Sequence, residues 1–371
     1  MSNWKKVAKI SLIFLLSCFS VLVIAIVGYG VYMQTHYYRI KDYKKLTINH
    51  NQKAYLQKNH EYTALSYNVG FGAYQPDYSF FMDTGIMKDG TETQGKYGKA
   101  ISKKAVLNST NGVINTIKKH SSDFILLQEV DTDSTRSYHV NQAKMINNAF
   151  SHTANVFANN FHSPYLFYPF NDPHGAVQAG LLTLSNYHID KATRRQYPIS
   201  TSFLTKFTDL DRCFSVMRLP VKNGHDLVLI NSHMSAYDKG GKIRAKQLAL
   251  LNHIMKKEYQ KGNYVIVGGD FNHTFGKKVL TAFKSDQKVP EWVSVLNPKD
   301  LTDCMRIVSA TNEYEVPTCR GADMPYQKGK TYVTVIDGYL VSKNVKATAT
   351  NLNTEFAYSD HNPVQLKFEL K

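Results

Sequence analysis

Six short segments of this 371-residue chain each set an ionisable or amide side chain at the end of an apolar run: Asn68, Glu129, Asn231-Ser232-His233, Asp270-Phe271-Asn272, Asp337 and Asp360-His361. Carboxylates, imidazoles and amides are the groups that position a water, receive a divalent cation and stabilise charge on phosphoryl oxygens, so together they would suit hydrolysis of a phosphate ester. Each alone has a plainer explanation. Glu129 follows Phe124-Ile125-Leu126-Leu127-Gln128, and a carboxylate closing a buried strand is costly unless a cation or donor receives it. A structural salt bridge would serve equally. Asp270 follows Val265-Ile266-Val267-Gly268-Gly269, whose glycines admit close backbone approach. Asn272, two residues on, faces the same side of an extended segment. Asp337 interrupts an apolar run, and His361 is its natural partner, because an Asp–His pair fixes the imidazole tautomer and raises its basicity. A lone His233 reads as readily as a core histidine. Spread from residue 68 to residue 361, only a fold can gather these groups.

The elements that must do so alternate strand and helix. Residues 62–67 read as a strand ending at Asn68. Val106, Val113, Ile114 and Ile117 recur at helical spacing over 105–119. Residues 124–127, 180–184, 226–230 and 264–267 read as short buried strands, and 244–258 as a second helix with Leu248, Leu251, Ile254 and Met255 on one face. Residues 332–341 and 364–370 alternate as half-buried strands do. Residues 70–104 form a long insertion with six glycines and Tyr74, Tyr78, Phe80 and Phe81. Loops of that length are usually functional or mobile, although the Gly/Lys-rich second half reads equally as a solvated excursion.

Ser66-Tyr67-Asn68, Leu127-Gln128-Glu129-Val130, Asn231-Ser232-His233-Met234, Gly268-Gly269-Asp270-Phe271-Asn272, Ile336-Asp337-Gly338-Tyr339 and Ser359-Asp360-His361-Asn362-Pro363-Val364 resemble, in order, the motifs of the endonuclease/exonuclease/phosphatase superfamily. This is the deoxyribonuclease I-like fold, also used by abasic-site endonucleases, neutral sphingomyelinases and inositol polyphosphate 5-phosphatases. The resemblance covers residues 61–371, with Ser232 where the superfamily commonly has Thr. It implies an α/β four-layer sandwich: two packed mixed β-sheets flanked by helices. It also implies roles. Glu129 would hold Mg²⁺, or Mn²⁺, beside Asn68, with Asp360 a further ligand, direct or through water. Asp270 would orient and deprotonate the attacking water, helped by Asn272. His233, and His361 paired with Asp337, would bind phosphoryl oxygens, with Asn231 supporting them. An oxygen-rich set suits these ions, whereas Zn²⁺ would want more His or Cys.

Arg136 could clamp a substrate phosphate bidentately or pair with Asp131 or Asp133 on the surface. Arg212 has the same two readings, the structural one first. His174, in the 171–175 loop, is a further groove-lining candidate. Two rival functions carry less support. A calcineurin-like di-metal phosphatase would need an early Asp-x-His followed by an Asn-His-Asp/Glu motif, and this chain does not carry them in that order. A non-catalytic binding protein on the same fold would have lost Glu129, Asp270 or His361, and all are present.

The chain divides into a basic tail at 1–9, an apolar segment at 10–33, a basic stalk at 34–60 and the catalytic domain at 61–371. The 24 uncharged residues of the apolar segment would span about 36 Å as a helix, enough to cross a bilayer. A cleaved signal peptide would have a shorter apolar core ending in small residues. The expectation is a single-pass cell-membrane anchor with an extracellular catalytic domain. Net charge is +16, of which the first 60 residues carry +8. The mildly basic body favours polyanionic partners such as nucleic acid, wall polymers or anionic lipid without singling one out, and with an outside location it supports nucleic acid as one candidate phosphate-ester substrate. The anchor and the aromatic insertion favour a phospholipid head group. No protein partner is expected. Four cysteines are too few for a disulfide scaffold. Cys304 and Cys319 could pair, but buried thiols fit better.

Overall fold

Two seven-stranded sheets lie face to face in a computed structural model that describes residues 2–200, 202, 205–207, 211–236 and 241–371. The first runs in the order Lys44–Lys45, Lys191–Gln196, Cys213–Pro220, Asp226–His233, Tyr264–Asp270, Asp337–Ser342, Met305–Val308. The second runs Val345–Asn351, Val364–Leu370, Glu61–Asn68, Phe124–Asp131, Gly175–Ser185, Ala154–Leu166, Ile48–Asn49. Each sheet contains one parallel pair at its centre, Asp226–His233 with Tyr264–Asp270 and Glu61–Asn68 with Phe124–Asp131. Parallel neighbours need a crossover. Helix α4 (Lys242–Gln260) makes one and helix α2 (Lys103–Lys119) the other.

Strands buried on both faces must be apolar throughout, which is why Tyr264–Asp270 and Phe124–Asp131 read as unbroken hydrophobic runs. Leu126, Leu181, Leu229, Ile266 and Tyr339 fill the space between the sheets. Leu251 and Met255 of α4 cover the outer face of the first sheet. Val113 and Ile117 of α2, with Ile146 of the short helix α3 (Gln142–Ala149), cover the second. Ser102 caps α2, its Oγ accepting from the Ala105 N–H at 3.1 Å. The expected four-layer sandwich is present.

Several expectations need correction. The body is richer in strands than an alternating pattern implies. Ala154–Leu166, Lys191–Gln196, Cys213–Pro220, Met305–Val308 and Val345–Asn351 are strands that no strong periodic signal marked. The expected strand over 332–341 breaks in two. Val333–Thr334 pairs with Cys319–Arg320, and Asp337–Ser342 joins the first sheet. The first half of the insertion is packed, whereas its Gly/Lys-rich second half is mostly exposed. Phe71, Tyr74, Tyr78 and Phe80 are buried, and Thr84–Ile86 pairs with Glu92–Gln94 as a hairpin. The cysteines are all free, with Cys213, Cys304 and Cys319 buried.

Residues 34–60 are not a free stalk. Lys44–Lys45 adds to the first sheet, Ile48–Asn49 adds to the second, and Leu46 between them is buried in the inter-sheet core. Helix α1 (Ser2–His36) carries a long apolar stretch and is exposed from Trp4 until its last turns meet the body. There the Tyr29 hydroxyl donates to the Tyr165 carbonyl at 3.1 Å, and Tyr38 stacks on His162 at 4.0 Å. Just beyond, Asp211 ties the segment down. Its carboxylate accepts from Arg39 Nε at 3.1 Å, the Ile40 N–H at 2.9 Å and His162 Nε2 at 3.0 Å, and it pairs with buried Arg194 at 3.0 Å. Burial would raise the Asp211 pKa, but His162, Arg194 and Arg39 outweigh it and hold the group below the usual carboxylate value.

Removing Asp211 strands the buried Arg194 charge, and breaking a buried pair this way costs about 3–5 kcal/mol. Asp211→Ala is therefore expected to lower the thermal midpoint by about 5–10 °C. A depressed folded-state pKa stabilises above the unfolded value and loses that contribution as pH falls through the folded one. The deficit of the variant should thus be full at pH 7 and shrink only in strong acid. Calorimetry of both proteins across pH checks this.

Candidate active site

The C-terminal ends of both parallel pairs open at one edge of the sandwich. In the first sheet, register places His233 opposite Asp270 and Asp270 opposite Asp337, so three adjacent strands present one row of ionisable groups. Gly269 is obligatory beside that row. Its φ is +151°, and a Cβ there would collide with the Ser232 carbonyl. In the second sheet, Asn68 pairs in register with Gln128. His361 enters from the turn before Val364–Leu370.

Glu129 reaches the centre by a different device. Leu126 and Gln128 face the other sheet while Ile125 and Leu127 face the helices, so alternation would send Glu129 toward the helices. Instead the ladder to Gly175–Ser185 shifts register between Leu127 and Val130, and Glu129 takes φ +54°. Val130 then occupies the helix-facing position. This bulge turns the carboxylate into the site. Positive φ at Phe71 (+38°) and Asn272 (+49°) adds further strained backbone around the same centre.

Asn68 joins the two sheets at the site. Its Nδ2 donates to Asp270 Oδ2 at 3.0 Å and to Glu129 Oε1 at 3.2 Å. Asp270 Oδ1 accepts from the Asn272 N–H at 2.8 Å. His233 Nε2 lies 3.5 Å from Asp270 Oδ2, and His361 Nε2 lies 3.8 Å from the same oxygen. His361 Nδ1 donates to Asp337 Oδ2 at 2.8 Å. Asp360 lines the same cavity, its Oδ1 accepting from Ser359 Oγ at 3.2 Å.

Burial raises Asp270 to about 6, helped by the charge of Asp337. It raises Asp337 and Asp360 as well. His361 moves the other way from a buried imidazole. Burial would lower it, but Asp337 and its other acidic neighbours hold it well above its ordinary value. His233 is driven well below its ordinary value by burial, then by Arg212 and His361. The centre thus holds more negative charge than its own cations relieve, and Asp337 Oδ1 is buried without a hydrogen-bond partner. Ligand atoms of Asp270, Asp337 and His361 all lie within 4.8 Å of one another. This donor chemistry fits a divalent cation.

Two expected site residues stand apart from the reacting centre. Asn231 is fully buried between the sheets, donating to the Leu127 and Leu182 carbonyls and accepting from Gln128 Nε2 at 2.8 Å. It shares a strand face with His233, but His233 sits two residues nearer the rim. The Arg136 guanidinium is held bidentately by Asp131 at 2.8 and 3.2 Å and lies 3.8 Å over the Phe71 ring. That pair is buried, not on the surface, so the fork that would clamp a phosphate is already engaged. The Asn272 side-chain amide donates to the Met234 carbonyl, so it is the backbone N–H that reaches Asp270. Arg212, read first as structural, donates to His233 Nε2 at 3.1 Å and lines the cavity. His174 lines it too, and burial with Arg136 nearby drives its pKa to about 3. Trp292, Phe161 and Tyr29 also line the cavity. No local motif marked them, because distant packing alone puts them there.

Among solved structures the chain is similar to TDP2 from Caenorhabditis elegans, at 14% identity over 84% of this chain and 76% of that one, TM-score 0.53. It is similar also to an endonuclease/exonuclease/phosphatase from Beutenbergia cavernae, at 13% identity over 84% and 72%, TM-score 0.55. A family protein from Leptotrichia buccalis matches at 14% identity over 83% and 100%, TM-score 0.53. At such identities the likeness is one of fold. No curated protein sequence matches the chain. The model of the Endonuclease/Exonuclease/phosphatase family matches residues 65–361, which takes in Asn68, Glu129, His233, Asp270, Asp337, Asp360 and His361. The chain belongs to that family and is a phosphate-ester hydrolase on the deoxyribonuclease I-like fold.

Proposed function

We propose that this is a membrane-anchored, Mg²⁺-dependent phosphoesterase that cleaves a phosphodiester or phosphomonoester by in-line attack of water. The observation that carries the reading is the meeting of Asn68, Glu129, His233, Asp270, Asp337 and His361, from both sheets, at one acidic centre. The similar structure of D. rerio TDP2 complexed with single-strand DNA product, at 12% identity and TM-score 0.50, is consistent with phosphate-ester chemistry on this scaffold. Helix α1 would span the bilayer with the catalytic body outside the cell.

Glu129, partly exposed to the cavity, would hold the cation with Asn68 beside it and Asp360 as a further oxygen donor. When bound, the cation neutralises nonbridging phosphoryl oxygens and steadies charge as the ester breaks. Asp270 takes the proton of the attacking water. Its raised pKa makes it a stronger base than an exposed carboxylate. The Asn272 N–H and the Asn68 amide fix one oxygen each, so its orientation is set before substrate arrives. His361, kept protonated by Asp337, donates to the phosphoryl group. Neutral His233, with Arg212 beside it, lines the opposite wall.

Asp270→Asn and His361→Ala should each lower turnover of bis(p-nitrophenyl) phosphate by about 10²–10⁴-fold with unchanged circular dichroism. Activity within a fewfold of wild type would refute the roles. Chelator should abolish turnover and Mg²⁺ or Mn²⁺ restore it. Because burial and mutual repulsion raise Asp270, Asp337 and Asp360, protons compete with the cation there. Mg²⁺ affinity is accordingly expected to weaken as pH falls through about 6. Titration calorimetry at pH 5 and 7.5 would contradict this if the affinities were equal.

A further inference from the structure

We infer that the substrate is a phosphate ester bearing a long apolar chain, taken from the bilayer surface with that chain lodged in the aromatic half of the catalytic cavity. The inference rests on the phosphoesterase reading above and names the substrate class of that same site.

One cavity of about 500 Å³ joins two unlike halves. The polar half holds Glu129, Asp270, Asp360 and His361. The other is walled by Tyr29, Phe81, Met82, Phe167 and Tyr168, with Tyr29 against Phe167 and Phe81 against Tyr168. Such a surface suits hydrocarbon, since moving methylenes out of water onto apolar walls is favourable in proportion to the area buried. Tyr29 decides the source of that hydrocarbon, because it belongs to α1, so the membrane helix is itself a wall of the catalytic cavity. It is fixed there by its hydroxyl on the Tyr165 carbonyl and by its ring edge-on to Phe167 at 5.4 Å.

Around this mouth, Phe167, Tyr168 and Phe170 are 50%, 59% and 85% exposed. Phe81 packs on Tyr168 at 5.5 Å, so the exposed rings continue directly into the cavity wall. Aromatic rings next to the end of a membrane span settle among lipid head groups. The apolar half of the cavity therefore opens at the level where acyl chains begin. A nucleic-acid strand would instead want cations tracking its backbone. Of the three arginines lining the cavity among the described residues, Arg136 is engaged by Asp131, Arg320 donates to the Tyr74, Gln75 and Gly321 carbonyls, and Arg212 donates to His233 Nε2, so none of them forms a track along the groove. In the reaction the water oxygen bonds to phosphorus and the ester P–O bond breaks. The proton taken by Asp270 leaves to solvent, the departing alkoxide takes a proton from solvent to become the alcohol, and the apolar chain stays on one of the two products.

The test uses the full chain in vesicles of phosphatidylcholine, phosphatidylglycerol and phosphatidic acid with Mg²⁺. Hydrolysis of these lipids is compared with that of glycerophosphocholine, glycerophosphoglycerol, glycerol 3-phosphate, a short single-stranded DNA and bis(p-nitrophenyl) phosphate. At least one lipid should be cleaved about 100-fold or more faster than its deacylated counterpart. Phe81→Asp should reduce the ratio of lipid to bis(p-nitrophenyl) phosphate cleavage by about tenfold or more. Equal rates with and without acyl chains, preference for DNA, or a ratio unmoved by Phe81→Asp would overturn the inference. Cleavage of the nitrophenyl ester without cleavage of lipid would sink this substrate class and leave the phosphoesterase reading standing. No cleavage of any substrate would sink both.

Discussion

Everything at this site follows from an electrostatic problem at the seam between two sheets. Asp270 and Asp337 face each other in register on adjacent strands, deep enough that burial opposes their charge. Like charges directly opposite are destabilising. The surrounding groups relieve that repulsion in part. His361 binds Asp337, the Asn68 amide bonds Asp270, and the Asn272 N–H takes the second Asp270 oxygen. What remains is a net acidic centre poised for a cation. Without the parallel pairs that align the strand ends, none of these groups would meet.

The architecture resolves this by using the same arrangement twice. Each sheet has a central parallel pair bridged by a helix, and in both the functional groups sit at the strands' C-terminal ends. Open α/β sheets place ligands at such ends because the chain leaves the sheet there and polar groups need no burial in the core. Stacking the two sheets brings both sets of ends together. Asn231 and Gln128, hydrogen-bonded across the gap, pin the sheets directly beneath the site. The segment after helix α1 adds a short strand to each sheet, Lys44–Lys45 and Ile48–Asn49, and is locked by Asp211. The helix that carries the apolar surface is thus held in fixed relation to the catalytic cavity.

Much of this was readable in the residues. Strands buried on both faces announce themselves as apolar runs, so the strands ending at Asn68, Glu129, His233 and Asp270 were legible, as was Val364–Leu370. The antiparallel strands beside the central pair were not. Lys191–Gln196 and Cys213–Pro220 are hydrogen-bonded by neighbours rather than marked by their own periodicity. Residues 34–60 looked like a linker because they are basic, yet a few contacts at Leu46 and Leu56 place them in the core. For Arg136 a pair with Asp131 was among the readings the residues offered, but that the pair is buried, not on the surface, is visible only in the fold.

The sequence by itself determined which chemistry was on offer: the kinds of acid, imidazole and amide, their position at strand ends, and an apolar helix long enough to cross a bilayer. These depend on local composition and on alternation, which a linear string records. The tertiary structure alone decided where those groups point and what surrounds them. It took a bulge to turn Glu129 from the helical face into the site. It took packing between residues more than a hundred positions apart to set Tyr29 and Phe167 beside Asp270 in one cavity. Side-chain direction and the company a cavity keeps are properties of backbone geometry and long-range contact, and neither is written in the order of the residues.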